Sequence, residues 1–167
     1  MKKNEMSIFD HLEELRWRIL KSFGTILFMS IITFNFANAL VELLIHPANQ
    51  ISGEMNLQVL TIQGMFLLKW NLAIIGGIIF SMPVITIQVW KFLSPGLYGK
   101  ERKVLLPLIL TAFGCFILGG MFAYNVILPF SLDFFASMIT GGIQNNFSIN
   151  YYFNFVLALI IGSGLIF

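Results

Sequence analysis

An all-α, polytopic membrane helix bundle is the fold class this sequence predicts, and three observations predict it. Only 11% of its residues are charged and 57% are hydrophobic, whereas an ordinary soluble domain carries roughly 25% charge. The apolar residues gather into four runs of about bilayer-crossing length. Nine of the ten lysines and arginines fall in alternate connecting segments. One membrane domain over residues 1–167 accounts for the whole chain.

The elements follow in order. Ser7 and Asp10 sit three apart, as at a helix N-terminus where side-chain oxygens satisfy free amide N–H groups. Over residues 7–21, Ile8, Leu12, Leu15 and Ile19 share one helical face, with Asp10, Glu13, Glu14 and Arg18 on the rest. That pattern describes an amphipathic helix lying on a membrane surface. Residues 22–41 are free of charge, and at ~1.5 Å per residue they suffice for a first span. A secretory signal peptide is excluded, because its apolar core is only ~7–15 residues long.

Residues 42–65 contain Pro47, Asn49, Gln50 and Gly53 and read as an outer loop with short helical pieces and no lysine or arginine. A second span covers residues 66–90, with Gly76-Gly77 at its middle, Pro83 as a kink and Lys69 near one end, where it can snorkel. In the following loop, 91–103, Ser94-Pro95-Gly96 cannot continue a helix. There Lys91, Lys100, Arg102 and Lys103 surround one acid, Glu101. A third span covers residues 104–128, with Pro107 in its first turn and Gly119 and Ala123 spaced for close helix packing. Residues 129–150 read as a second outer loop, with Asp133 its only charge and no strand. Residues 151–167 form a fourth run of about 25 Å, short of the ~30 Å hydrocarbon core, so this span is expected to be cut before its natural end.

Charge sets the orientation. Lys2, Lys3, Arg16, Arg18 and Lys21 precede the first span and four more cations lie in the 91–103 loop. By the positive-inside rule the N-terminus and that loop are cytoplasmic, and the outer loops face the other side.

Little in the chain can run chemistry. Cys115 is the single cysteine, so no disulfide is expected. His11 and His46 have no partner at metal-ligand spacing, and His11 is expected to cap or pack at the interface. Ser163 has no histidine in any span to act as its base. No catalysis, metal, cofactor or nucleic-acid partner is expected. Two acids stand out on the cytoplasmic side, Glu14 and Glu101. Glu14 reads either as half of a surface pair with Arg18 at i,i+4, or as one of two carboxylates that grip guanidinium groups of a ligand. Glu101 reads either as a first-turn acid that suits a helix dipole, or as the second grip.

These motifs together resemble the TatC family, the polytopic core subunit of the twin-arginine protein translocase. The matching residues are His11-Leu-Glu-Glu-Leu-Arg16 with Arg18, then Pro47, Pro83 and Gln88-Val-Trp90. They continue through Phe92, Pro95, Leu97-Tyr98, Glu101-Arg102 and Pro107, then Gly119, Phe122-Ala-Tyr124 and Pro129. The resemblance implies six spans with both termini cytoplasmic, of which this chain carries four. It also implies an acid after a phenylalanine in the fourth span, and here the chain stops at the corresponding Phe167.

As function, the resemblance implies recognition of signal peptides that carry two consecutive arginines on folded cargo, and help in moving that cargo across the membrane. Glu14 and Glu101 match the family's two recognition acids; Arg16, Phe92, Pro95 and Tyr98 match neighbouring recognition or structural positions; Pro47, Pro83 and Tyr124 match structural ones. The implied partners are single-span subunits of the TatA and TatB type, other TatC copies and membrane lipid. The implied location is the bacterial cytoplasmic membrane, with an organellar membrane as the alternative. A small-solute transporter and a purely structural membrane subunit are the competing classes. A transporter calls for polar groups at mid-bilayer, and Lys69, Asn71 and Gln88 all lie toward span ends.

Overall fold

With few places to satisfy backbone groups except within a helix, the apolar runs fold as long helices. The computed structural model describes residues 8–50, 56–94, 99–138 and 146–167; at 8–10, 99–103, 105 and 106 it describes the backbone alone. The elements are α1 (Ile8–Asn35), α2 (Ala37–Asn49), β1 (Asn56–Gln58), α3 (Gly64–Leu93), α4 (Gly99–Phe122), a π-helical turn (Ala123–Ile127), α5 (Leu128–Ser137), β2 (Asn146–Ser148) and α6 (Ile149–Ile166). Four stretches are long and apolar enough to cross a membrane: His11–Asn35, Gly64–Leu93, Pro107–Ser137 and Ile149–Ile166. The chain is a helical membrane protein.

Several details differ from the sequence reading. Helix runs straight from the amphipathic segment into the first span, and the break comes at Phe36 (φ −96°, ψ 8°), inside the expected span. The helical piece within the loop 42–65 is the second half of α2, which begins inside the expected first span and buries Val41, Leu44, Pro47 and Ala48. The expected loop 129–150 likewise begins as α5, with Leu128 and Leu132 buried. Pro107 lies in the interior of α4 and not in its first turn, since the charged residues from Gly99 onward are themselves helical. Two three-residue strands also exist, too short to leave an alternation. They pair in parallel, Asn56 with Asn146 and Gln58 with Ser148. The Ser7 cap lies outside the described residues.

The chain folds as two compact units. The first comprises Met1–Thr33 and Ile74–Phe113. Within it the paired glycines bring α1 and α3 together: a Cβ at Gly76 would stand 2.6 Å from Thr33 Cγ2, and one at Gly77 2.7 Å from Ser30 Cα. Thr33 is buried there and returns its hydroxyl to the Met29 carbonyl at 2.8 Å, so that hydroxyl is satisfied within its own helix.

The second unit comprises Phe34–Ala73 and Gly114–Phe167. Its core joins Val41, Leu44 and Ala48 of α2, Leu68 and Leu72 of α3, Leu128 and Leu132 of α5, and Tyr152, Phe153 and Val156 of α6. Gly119 lets α4 approach α6, since a Cβ there would stand 2.6 Å from the Ser163 carbonyl oxygen. Pro47 has no N–H to give the Leu43 carbonyl four residues before it. Tyr124 supplies the missing donor, its hydroxyl reaching Leu43 O at 2.7 Å, and Tyr152 donates to the next carbonyl, Leu44 O, also at 2.7 Å. Tyr124 stands in the π turn that precedes Pro129, where a proline ring crowds the turn before it and a wider turn relieves the crowding. Asn125 answers the Met121 carbonyl in that turn at 2.7 Å.

Gly119→Ala should lower the thermal unfolding midpoint in detergent, by the equivalent of about 1–3 kcal/mol of overpacking. Gly114→Ala, with nothing within 4 Å of its Cβ, should leave the midpoint unchanged or raise it. Tyr124→Phe should cost about 1–3 kcal/mol by stripping a carbonyl of its donor. In a Pro47→Ala background, where a backbone N–H returns, the same change should cost distinctly less in a thermal double-mutant cycle.

Candidate functional site

The charged residues of α1 fall on successive turns, so side chains three and four apart meet. Glu14 accepts from Arg18 Nε at 3.1 Å and also from Arg18 Nη2, both through Oε1. His11 Nδ1 lies 3.8 Å from the other oxygen, Oε2. The pair is only partly open to solvent, with side-chain exposures of 18% for Arg18 and 27% for Glu14. The carboxylate is thus charge-balanced from within its own helix, and among the described residues Oε2 has only His11 Nδ1 beside it.

The cluster is anchored on a second element. The His11 ring stacks on Phe92 with centroids 4.3 Å apart and planes 12° apart. Phe92 is half-buried in the last turn of α3, so the stack fixes the start of α1 against the end of α3. Ser94 follows at 5% exposure, its Oγ without a hydrogen-bond partner among the described residues.

Of the residues singled out in the sequence, Glu14 and Phe92 are brought into one cluster through His11. Arg16 is exposed and stands outside it. Glu101 lies in the first turn of α4, within the same unit, and its side chain is outside the described residues. Pro95 and Tyr98 also lie outside them. Pro83 sits inside an unbroken α3, and Pro47 and Tyr124 meet through the Leu43 carbonyl of the second unit. The His11–Phe92 stack was not assigned from the sequence, because nothing in spacing joins residues on different helices. Among the described residues no group of three or more His, Cys, Asp or Glu could hold a metal ion.

The site can therefore do electrostatic recognition: a partly open carboxylate beside an aromatic pair, at the polar end of two apolar helices. Residues 10–167 match the family described as "Sec-independent protein translocase protein (TatC)". A relative of that name from Helicobacter pylori is 34% identical over 94% of this chain and 60% of its own length. One from Synechocystis sp. is 37% identical over 98% of this chain and 63% of its own length. A crystal structure described as "Twin Arginine Translocase Receptor- TatC" superposes with a TM-score of 0.81 at 33% identity, covering 93% of this chain and 69% of that one. The chain thus spans about three fifths of the length of the curated relatives it matches. With a match that runs from the first charged turn of α1 through α6, and a fold shared with a solved member, the chain belongs to the TatC family.

Proposed function

We propose that this chain works in the twin-arginine translocase as the part that receives signal peptides with two consecutive arginines, and that it helps pass their folded cargo across the membrane. Binding and transport, not catalysis, is the role. The observation that carries this reading is the Glu14 carboxylate, 27% exposed and held beside the His11–Phe92 stack. A guanidinium presents a planar fork of donors, and a carboxylate oxygen at a membrane surface accepts them as charge-assisted bonds. Glu101 supplies the second carboxylate from the turn that opens α4, and Arg16, Phe92, Pro95 and Tyr98 border the site. The ligand's arginine shares Glu14 with Arg18 by taking Oε2, so Arg18 keeps its place on Oε1 and neither cation is left without a partner.

On this reading the N-terminus and the 91–103 loop face the cytoplasm, the side their lysines and arginines favour. The parallel pairing of β1 with β2 supports the alternation of the spans, though not which side is which: both strands run the same way, and α3 and α6 follow them, so both helices enter from one side. Partners on this reading are single-span subunits of the TatA and TatB type, further TatC copies and lipid, in a bacterial cytoplasmic membrane.

Two measurements test the proposal. In a Cys115→Ala background, a cysteine at position 55 should react with an impermeant thiol reagent from the outer side and one at position 98 only from the cytoplasmic side; the reverse result overturns the orientation. Photocrosslinking of a twin-arginine peptide should fall about thirtyfold or more in Glu14→Ala and Glu101→Ala variants, and undiminished crosslinking in the double variant overturns the site.

A further inference from the structure

Two contacts between α1 and α3 lie far apart within the first unit. At one end the paired glycines of α3 meet Ser30 and Thr33. At the other the His11 ring lies on Phe92, with centroids 4.3 Å apart. Between them the facing residues are large and leave a groove of about 320 Å³, lined by Leu15, Ile19 and Phe23 of α1 and by Ile85 and Val89 of α3.

Glu14 therefore stands at the end of a long arm. It precedes Ser30 by sixteen residues, about 24 Å along α1 at ~1.5 Å per residue. A tilt of about 10° about the glycine contact would carry its carboxylate roughly 4 Å, more than the length of a hydrogen bond. A binding constellation tolerates shifts of only about 0.5 Å. The charged turn needs a second point of attachment, and the stack supplies one three residues before Glu14.

His11 does not hold Glu14 by a hydrogen bond, since 3.8 Å from Nδ1 to Oε2 is too long for one. Arg18 Nε, at 3.1 Å, does that. What His11 offers α3 is a flat ring, set only 12° from the plane of Phe92. Phe92 is turned toward α1 in the same way: it lines the groove together with Leu15 and Arg18, which follow His11 one and two turns along one helical face. One face of the Phe92 ring is thus covered by α1 itself.

We propose that His11 is a positioning residue for Glu14 and that Phe92 is its clamp. By lying on Phe92, the His11 ring fixes the first turns of α1 against the end of α3, and with them the place where a twin-arginine ligand meets the Glu14 carboxylate. The flat ring does this, not the imidazole nitrogens, and Phe92 bears on recognition through His11 without touching the ligand. The inference rests on the function proposed above for Glu14.

The test uses the whole chain in nanodiscs, with two readouts. One is affinity for a twin-arginine peptide by fluorescence anisotropy. The other needs no ligand: spin–spin distances between labels at Trp17→Cys and Lys91→Cys, both exposed positions, in a Cys115→Ala background. His11→Ala and Phe92→Ala should each weaken the peptide about tenfold, the upper worth of an aromatic pair, and broaden the distance distribution. Combined, they should cost no more than either alone. His11→Phe should restore both affinity and narrow distances, and His11→Gln, which has a polar group but no ring, should restore neither. A His11→Phe variant as weak as His11→Ala gives the role to the nitrogens and overturns the proposal, as does an unbroadened distribution in His11→Ala. A wild-type chain that leaves the peptide unbound overturns the function proposed for Glu14, and the distances alone then decide whether the stack positions the turn.

Discussion

Hydrocarbon offers no hydrogen-bond partner, and the architecture of this chain follows from that constraint. Where Pro47 takes a donor out of α2, and where the π turn widens, another side chain answers the carbonyl. Tyr124 does so for Leu43, and Asn125 for Met121. The same requirement explains why hydroxyls in the spans fold back on their own helices, as Ser22, Thr25, Thr33 and Thr111 all do. The Leu43 and Leu44 carbonyls tie α2 to two other segments of its unit, so a kink that would be a defect in isolation becomes a point of attachment.

The charged turn obeys the same rule. Glu14 does not wait as a bare carboxylate for a ligand; Arg18 holds it and His11 stands beside it. On the function proposed above, a ligand guanidinium would meet these oxygens as a planar fork of donors, a geometry that a point charge lacks. The aromatic stack beside it, His11 on Phe92, ties the charged turn of α1 to the end of α3.

Much of this was legible in the residues. Four apolar runs located the long helices, and the i,i+4 spacing of Glu14 and Arg18 announced their pair. Gly119 at a small-residue spacing pointed to close packing, and it meets the Ser163 carbonyl of α6. What was hidden depended on tertiary partners. The helix through Pro47 forms because Val41, Leu44 and Ala48 find a core, a fact that local composition contradicts. The π turn at Tyr124 and the three-residue strands are shorter than any periodicity can register. The His11–Phe92 stack and the α1–α3 groove join segments far apart in the chain, and a single sequence holds no record of which surfaces face.

The small parallel ladder has a consequence for biosynthesis. Its first strand, Asn56–Gln58, leaves the ribosome long before Asn146–Ser148 exists to pair with it. Through the making of α3, α4 and α5 that edge stays open, and only the arrival of the segment heading α6 can close it. The clasp therefore reports how far translation has gone: a nascent chain halted short of the second strand keeps an unzipped edge exposed to whatever assists its insertion.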